Sequence, residues 1–439
     1  MAESRAAVRA AGRRLMRRGA HGVRRTVARR RRLLAFLAIL GPGMITANAG
    51  NDAGGIATFA SVGAEFGYSL LWILIPIAIS LGIVQEMCAR MGAVTGKGLS
   101  DLIRERFGVR WTALVMLALL IANAGVTVSE FVGIAAAAEL FGVSRFIAVP
   151  LAAILVWWLV AKGSYKKVEK AFLMMSLVFL GYIVSAFLSR PNWTAVGVGL
   201  VKPTLRLEHA FVFTLVAVIG TTISPYMQVY VQSSVVEKGV TADNYSETKT
   251  DVWVGTIFAI LIVFFIVVST AATLHQSGTQ ITTAADAARA LRPLAGRYAE
   301  TLFGLGLFGA SMLAAGVLPL ATAYSISEAL GFEKGVSHTF REAPIFLGTF
   351  TFLVAVGAAI AVIPNLPLFR VLLVTQVING LLLPFVLFAI LKLVNNRELM
   401  GTNVNGPVYN LAAWVTAIIV TALSVLYIAM SIFPGLVRL

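Results

Sequence analysis

The stretch AGNDAGGIATF, residues 49–59, interrupts an apolar segment with a carboxylate and a pair of glycines. Asp52 is followed directly by Ala53, Gly54 and Gly55. Glycine weakens a helix because its backbone loses the most freedom on ordering. A carboxylate in the hydrocarbon of a bilayer is costly unless it is paired or hydrated. If this segment crosses a membrane, its helix is predicted to open at the charged residue.

The composition indicates that the segment does cross a membrane. Of the 439 residues, 58% are hydrophobic and only 13% are charged, whereas soluble domains have about 25% charged residues. Apolar runs of about 20 residues, each long enough to span a bilayer as a helix, recur along the whole chain and leave no room for a soluble domain. The sequence predicts about eleven spans, at residues 33–61, 68–93, 112–141, 145–162, 169–189, 208–237, 251–275, 299–331, 343–363, 366–394 and 408–433.

The net charge of +16 is concentrated at the N-terminus, where residues 1–32 contain twelve arginines and no Phe, Trp or Tyr. The positive-inside rule predicts that this segment is a cytoplasmic tail, disordered and in contact with anionic lipids. A secretory or twin-arginine signal is the alternative, and the patterned multi-span sequence that follows argues against it. Nucleic-acid binding is not expected. Eleven spans then put the C-terminus outside, in a multi-pass protein of the plasma membrane with no obligate protein partner.

The sequence offers no support for catalysis. The single cysteine, Cys88, excludes a disulfide within the chain, and the four histidines lack metal-ligand spacing. Neither a Walker loop nor a dinucleotide-binding glycine motif is present. The chain is therefore predicted not to be an enzyme and to hold no cofactor.

The span at residues 208–237 is predicted to be interrupted as well. Five residues that disfavour a continuous apolar helix stand in its middle: Gly220, Thr221, Thr222, Ser224 and Pro225. Proline removes a backbone donor and clashes with the preceding turn. Serine and threonine hydroxyls can satisfy the backbone groups that a break sets free. The helix is therefore predicted to break near residues 220–225.

The two interruptions are five spans apart. This spacing is typical of transporters built from two inverted repeats, with the substrate site between the unwound helices near the midplane. We therefore predict an all-α membrane domain at residues 33–439 with a five-plus-five inverted repeat. Repeat one covers about 33–190, repeat two about 208–394, and an extra helix about 408–433.

Few other polar side chains fall inside the predicted spans. Glu130 and Gln376 are predicted to line the cavity, with a structural hydrogen-bonding role as the alternative for Glu130. Glu86 and Arg90, four residues apart, are predicted to pair at a helix end. Asp251 is predicted to cap the start of the seventh span.

Five motifs resemble the natural resistance-associated macrophage protein (Nramp) family of divalent metal transporters, over about residues 38–395. Helix 1 and the loop after it correspond to GPGMITANAGNDAGGIATFASVGAEFGYSLLW, and helix 2 with its loop to QEMCARMGAVTGKGLSDLIRERFG. Helices 3, 6 and 10 correspond to SEFVGIAAAAEL, GTTISPYMQVYVQSSVV and TQVINGLLLPF. The resemblance implies a LeuT-type fold, with helices 1 and 6 unwound, that transports a divalent metal ion.

The chain departs from the family pattern at both interruptions. The helix 1 motif Asp-Pro-Gly-Asn keeps its acid as Asp52, but Gly55 stands at the position of the Asn ligand. The helix 6 motif Ala-Thr-Val-Met-Pro-His begins here at Thr221. Ser224 stands at the position of its thioether ligand, and Tyr226 at that of its His.

These replacements change the metal that the resemblance implies. A thioether favours manganese, iron or cadmium over hard alkaline-earth ions, so its absence removes that discrimination. Small residues at Gly55 and Ser224 are expected to leave a roomy, all-oxygen site around Asp52. Mg²⁺ keeps several of its waters and binds through one or two carboxylates. The chain therefore resembles the branch of Nramp-related magnesium transporters.

Proton coupling is not expected from the same resemblance. Family members that symport protons share the helix 6 His, an Asp shortly before the helix 3 Glu, and basic residues on helix 9. The matching positions here hold Tyr226 and Thr127, and residues 343–363 contain no Arg or Lys. Uncoupled uptake, driven by the inside-negative potential, is the expected mode.

The predicted site has Asp52 as the charged ligand, directly or through water. Backbone carbonyls near Gly55 and Thr221 and the hydroxyls of Thr222 and Ser224 complete it. Further residues are predicted to line the site or to contact the ion's water shell: Asn51, Glu130, Tyr226 and Gln376. The expected cargo is Mg²⁺, with Mn²⁺ also able to pass. The alternatives are a proton-coupled Mn²⁺/Fe²⁺ symporter of the family, an amino-acid or amine carrier of the same fold, and an ion channel.

Overall fold

The computed structural model describes residues 50–162, 180–289, 298–336 and 338–433. Within these ranges the regular structure is entirely helical. The helices, in chain order, are α1 Ala53–Phe66, α2 Leu74–Thr95, α3 Leu99–Leu140, α4 Arg145–Ala161, α5 Leu180–Leu188, α6 Trp193–Val201, α7 His209–Thr222, α8 Pro225–Glu237, α9 Tyr245–Thr270, α10 Ala284–Arg289, α11 Tyr298–Leu330, α12 Pro344–Ala361, α13 Leu368–Val394, α14 Arg397–Met400 and α15 Pro407–Ile432. A π turn, Ala271–His275, extends α9.

Eight helical stretches in the described part of the chain are long and apolar enough to cross a membrane, and α4 is a shorter apolar helix. They correspond to nine of the predicted spans, which confirms the all-α membrane fold. Of the span predicted at 169–189, only the α5 end is described. The predicted tail at residues 1–32, and the part of the first span that precedes Gly50, lie outside the described residues.

The seventh span begins earlier than predicted. A capping box formed by Thr241 and Asn244 opens a short turn that leads into α9 at Tyr245. Asp251 is therefore a buried residue inside α9 and not its N-terminal cap. The prediction for Asp251 was wrong because the polar first turns of this helix carry the capping signal, whereas hydropathy marks only the apolar part.

The broken helices lie at the centre of the bundle. In the most apolar part of the stretch that contains α7 and α8, 89% of the sequence is buried, and the same share is buried in α11. In α15 the share is only 22%. α1 packs against α7, α9 and α13, and α3 packs against α11, α12 and α13. A polar group at a break is thus surrounded by protein.

The sixth span breaks where the sequence predicts. α7 ends at Thr222 and α8 begins at Pro225, with Ile223 and Ser224 outside both helices. Proline suits the first position of a helix because its missing N–H is not needed there. The Ser224 hydroxyl donates to the Gly220 carbonyl at 2.6 Å, which satisfies a backbone group freed by the break.

The first described helix begins at the charged residue of the first predicted span. Gly50, Asn51 and Asp52 are not helical, and α1 begins at Ala53 with Asp52 as its N-cap. Aspartate is a favoured N-cap because its side-chain oxygen accepts a hydrogen bond from the first turn. Here Asp52 Oδ1 accepts from the Gly55 N–H at 2.5 Å.

Candidate metal centre

Asp52 presents a buried carboxylate of which one oxygen is not hydrogen-bonded. The residue has 0% exposure, and its Oδ1 is engaged by the first turn of α1. Its Oδ2 is also buried and has no hydrogen-bond partner among the described residues. An unsatisfied buried acceptor is costly, and more so when it is charged. A cation at Oδ2 would remove that cost.

The start of α1 and the break between α7 and α8 meet beside this carboxylate. The Thr221 hydroxyl lies 3.4 Å from the Gly50 carbonyl, to which it donates. Gly55 is close to both residues. A Cβ built on Gly55 would be 3.0 Å from Thr221 Oγ1 and 3.2 Å from Asp52 Oδ1. The fold thus brings together Asp52, Gly55 and Thr221, as the sequence predicts.

The room expected at Gly55 is filled by the backbone. A Cβ at this position would lie 2.6 Å from the Gly50 carbonyl oxygen, closer than atoms can approach without a shift. The Gly50 carbonyl points towards Gly55 because the turn before α1 lies against the start of the helix. Glycine at position 55 therefore permits a tight turn, and the expectation that it leaves space around Asp52 was wrong for this conformation.

Glu130 places a second carboxylate behind the start of α1. It is fully buried in α3, and its Oε2 accepts from the Ala53 N–H at 3.1 Å. Its Oε1 lies 3.3 Å from the Ser129 hydroxyl, which donates to it. The negative charge faces the positive end of the helix dipole. Because both oxygens are engaged, Glu130 supplies charge and holds the turn that carries Asp52.

Gln376 and Asn379 bring two amides from α13 to the centre. The Asn379 amide nitrogen lies 3.4 Å from Ser224 Oγ and 3.4 Å from Gln376 Oε1. Gln376 Nε2 and Asn379 Oδ1 are buried without a hydrogen-bond partner among the described residues. The Gln376 side chain packs directly on Gly54, where a Cβ would collide with its amide. Sequence reasoning assigned no site role to Asn379, although its place one turn from Gln376 was a usable signal.

Three further predicted site residues, Thr222, Asn51 and Tyr226, are buried, but their side chains do not all face Asp52. The Thr222 hydroxyl donates to the Val218 carbonyl of its own helix at 2.6 Å. The Asn51 amide donates to the Ala259 carbonyl in α9 at 3.1 Å, which anchors the turn before α1. Tyr226 is fully buried near the start of α8 and interacts electrostatically with both carboxylates. Of these three residues, Tyr226 is the one whose described interactions involve Asp52 and Glu130.

A sulfur atom lies near the centre, contrary to the all-oxygen site expected from the sequence. Met227 packs on Gly50, where an added Cβ would be 3.4 Å from Met227 Sδ. Gln85 Nε2 lies 3.9 Å from the same sulfur. The thioether of the family motif corresponds to Ser224, so the motif predicts no role for Met227, which lies about one turn later.

Among the described residues, no group of three His, Cys, Asp or Glu side chains is placed to enclose a metal ion. The centre instead offers one free carboxylate oxygen, the carbonyl ends of α7 and two side-chain amides. The C-terminal end of a helix carries partial negative charge. This arrangement suits a passing cation that retains part of its water shell.

Comparison with known proteins agrees with this architecture. Among solved structures, the chain is similar to a manganese transporter from Eremococcus coleocola in complex with an aromatic bis-isothiourea substituted compound, with 20% identity, a TM-score of 0.75, and coverage of 92% of this chain and 89% of that one. A mutant of that transporter gives a TM-score of 0.71 at the same identity and coverage. Mhp1, a nucleobase-cation-symport-1 family transporter in a closed conformation, gives 12% identity, a TM-score of 0.54, and coverage of 90% and 91%. These likenesses show a shared LeuT-type fold.

The family assignment rests on the sequence profile. Residues 43–430 match the profile described as natural resistance-associated macrophage protein-like. This match covers most of the chain and includes both helix breaks and the residues around Asp52. The chain is a multi-pass membrane protein that belongs to the natural resistance-associated macrophage protein (Nramp) family.

Proposed function

We propose that this protein carries divalent cations across the membrane by alternating access, with Mg²⁺ as its main cargo and Mn²⁺ also accepted. The observation that carries this proposal is the buried Asp52 carboxylate, which lies where the start of α1 meets the break between α7 and α8 and whose Oδ2 has no hydrogen-bond partner in the described part of the chain. Family membership supports cation transport, and the similar solved structures include a manganese transporter.

The charge around the centre fits a divalent ion. Asp52 would bind the ion directly or through water, and Glu130 would contribute a second negative charge through the first turn of α1. The carbonyl end of α7, at Thr221, adds partial negative charge. Two carboxylates balance two positive charges, so the loaded centre would be close to neutral inside the bilayer.

The preference for Mg²⁺ follows from the ligand chemistry. Ser224 stands where the family pattern has a thioether, and its hydroxyl is a hard oxygen that donates to the Gly220 carbonyl. The amides of Gln376 and Asn379 are suited to contact bound waters. Mg²⁺ gives up its waters reluctantly and is held by few protein ligands. Oxygen ligands favour such hard ions, whereas sulfur favours softer ones.

Transport is proposed to be uncoupled from protons. Tyr226 and Thr127 stand at the proton-relay positions of the family pattern, and the Thr127 hydroxyl donates to its own helix at 2.7 Å. α12 contains no Arg or Lys. An inside-negative potential alone provides about 4.6 kcal/mol per 100 mV for a doubly charged ion.

The proposal is tested by a substitution that removes the charge of Asp52 but keeps a side-chain acceptor to cap α1. Asparagine caps helices as well as aspartate does, so Asp52→Asn should remain folded. Its apparent affinity for Mg²⁺ in a proteoliposome uptake assay should fall by roughly 10- to 100-fold, as when a metal site loses an essential partner. The exposed Asp243 provides a matched control, because Asp243→Asn makes the same charge change away from the centre. Normal uptake by Asp52→Asn would exclude this site assignment.

A proton-coupled Mn²⁺ symporter is the second candidate. The sulfur of Met227 beside Gly50 favours it, because sulfur binds softer ions. Mn²⁺ uptake that acidifies the vesicle interior and excludes Mg²⁺ would support it. Family membership argues against an amino-acid or amine carrier.

A further inference from the structure

A cavity of about 480 Å³ opens at the C-terminal half of α1, on the side that the proposed orientation makes external. Its walls come from α1, from α7, and from the loop that follows the π turn after α9. Thr58 lies in the wall of this cavity, and its hydroxyl donates to the Gly54 carbonyl at 2.7 Å. Thr58 is six residues after Asp52, so the cavity lies roughly two helical turns from the carboxylate.

Four of the five hydroxyl groups that line the cavity are oriented as acceptors. Thr58, Ser61 and Thr214 donate their protons to carbonyls of their own helices, at 2.7, 2.9 and 2.9 Å. Thr282, on the loop, donates its proton to Asp286 Oδ2 at 2.8 Å. A hydroxyl has one proton and two lone pairs. Each of these oxygens therefore retains only acceptor capacity for a molecule in the cavity.

His275, at the end of the π turn, also uses its proton in a hydrogen bond to a backbone carbonyl. Its Nδ1 lies 3.0 Å from the Ala64 carbonyl oxygen. A carbonyl can only accept, so Nδ1 donates in this contact, and Nε2 is an acceptor whenever it carries no proton.

The electrostatic field of the cavity is negative. Its described lining contains one carboxylate, Glu65, and neither lysine nor arginine. Asp286 lies next to the lining residue Thr282. Burial raises the pKa of Asp286, but hydrogen bonds from Thr282 and Thr283 outweigh that effect and hold the pKa below its usual value. Asp286 is therefore ionised at neutral pH, and it holds the Thr282 hydroxyl in its donating orientation.

We infer that this cavity receives a divalent cation with its first water shell intact, before the ion reaches Asp52. A hydrated cation turns only water protons outwards, so it is complementary to the acceptor oxygens of these four hydroxyls and to the Glu65 carboxylate. Six waters need roughly 180 Å³ at about 30 Å³ each, well within the cavity volume. Glu65 would attract the ion electrostatically, and the hydroxyls and His275 would hold its waters. The inference rests on the proposed function in taking a cation as cargo.

The test uses hexaamminecobalt(III), a complex that does not exchange its six ammonia ligands and presents only N–H donors. Its binding to the purified protein in detergent is measured by equilibrium dialysis at low salt. We expect saturable binding that Mg²⁺ displaces, that Glu65→Gln weakens roughly fivefold, as for an exposed ion pair, and that Asp52→Asn leaves nearly unchanged. Glu247→Gln, which removes an exposed charge at the other end of the protein, is the matched control.

Three results would overturn the inference: no saturable binding, equal effects of Glu65→Gln and Glu247→Gln, or loss of binding in Asp52→Asn. In transport, Glu65→Gln should raise the KM for Mg²⁺ and leave the maximal rate unchanged. The dialysis measurement does not require transport, so it separates the two claims. Glu65-dependent binding without Mg²⁺ uptake would contradict the proposed function alone, and Mg²⁺ uptake without such binding would contradict the inference alone.

Discussion

Asp52 combines a structural and a chemical role in one side chain. One oxygen caps α1 and thereby fixes where the helix begins, while the other has no hydrogen-bond partner among the residues described around the break between α7 and α8. Capping needs a side-chain acceptor and does not need a charge. The charge is therefore the feature that points to a cation, and asparagine at this position separates the two roles.

At the residue scale, the ion preference should depend on the atom at position 224. Ser224→Cys adds a soft sulfur at nearly constant size, and Ser224→Met restores the family's thioether. Both should shift the ratio of Mn²⁺ or Cd²⁺ uptake to Mg²⁺ uptake upwards, by about tenfold or ~1.4 kcal/mol. Competition uptake assays in proteoliposomes would measure the shift, with monodispersity of each variant as the folding control.

Met227→Leu is the companion variant, since Met227 is the sulfur already near Gly50. If oxygens set the preference, the ratio of Mn²⁺ to Mg²⁺ uptake should stay within about twofold of the unmodified protein. A selective loss of Mn²⁺ uptake would contradict the oxygen-based account and assign the sulfur a place in the ion path.

The sequence was sufficient to predict that Asp52, Gly55 and Thr221 lie close together, because a charge and helix breakers in apolar spans are visible as patterns. It was not sufficient for Met227 or Asn379. The place of Met227 depends on the packing of α8 against the turn at Gly50, which has no local signature. Asn379 lies one turn from Gln376, but its contact with Ser224 depends on how α13 packs against the break. The orientation of Asn51 towards α9 was hidden for the same reason.

At the element scale, two glycines allow α13 to pack against the broken helices. A Cβ on Gly220 would meet the backbone of α13 at the Gln376 carbonyl and at Gly380, with Gly380 Cα at 2.8 Å. A Cβ on Gly54 would meet the Gln376 side chain, with Cδ at 2.7 Å. Backbone cannot yield, whereas a side chain can rotate away.

Gly220→Ala should therefore destabilise the protein by about 1–3 kcal/mol, the usual range for overpacking, and lower its melting temperature in detergent. Gly54→Ala should melt closer to the unmodified protein but transport more slowly, because it displaces the Gln376 amide. Gly348→Ala in α12 is the control, since a Cβ there meets nothing within 4 Å. Equal melting temperatures for Gly220→Ala and Gly348→Ala would refute this packing argument.

A buried carboxylate joins helix ends on the side opposite to the cavity. Glu328 in α11 is 1% exposed. It accepts from the Ser233 hydroxyl of α8 at 2.6 Å and from the Ser100 N–H of α3 at 3.1 Å. Lys334 Nζ lies 3.3 Å from Glu328 and 2.5 Å from Asp101. Three helices are thereby connected through one side chain.

Glu328→Gln should cost about 3 kcal/mol, because it leaves the charge of Lys334 partly unpaired in a buried network. The loss should appear as a lower melting temperature in detergent. The exposed pair Lys97–Glu105, at 2.7 Å, provides the comparison. Glu105→Gln should change stability by less than about 1 kcal/mol, and an equal effect of the two variants would show that burial of the network does not matter.

Element positions were predictable where hydropathy is continuous, and the break at Ser224 was predictable from proline. The early start of α9 was not, because its first turns are polar and are defined by the Thr241–Asn244 capping box. The Glu328 network was not foreseen either. It is formed by residues from three helices that are far apart in sequence.

At the scale of the whole molecule, the broken stretch of α7 and α8 is among the most buried in the described part of the chain, and the centre beside it contains two fully buried carboxylates, Asp52 and Glu130. A continuous apolar bundle would be more stable, so the cost of a broken helix and two buried acids points to a function where they meet. Family membership and fold were predictable from the sequence because motifs and span spacing extend along the entire chain. The identity of the cargo depends on ligand geometry that no sequence pattern specifies.

The measurement that tests the account most directly is Mg²⁺ flux into proteoliposomes under an imposed inside-negative potential, with a dye that reports internal pH. The account predicts Mg²⁺ uptake that is saturable, increases with the potential, is inhibited by Mn²⁺ and leaves internal pH unchanged. Saturation also separates a carrier from a channel. Mn²⁺ uptake that excludes Mg²⁺ and acidifies the interior would contradict the account and establish a proton-coupled symporter.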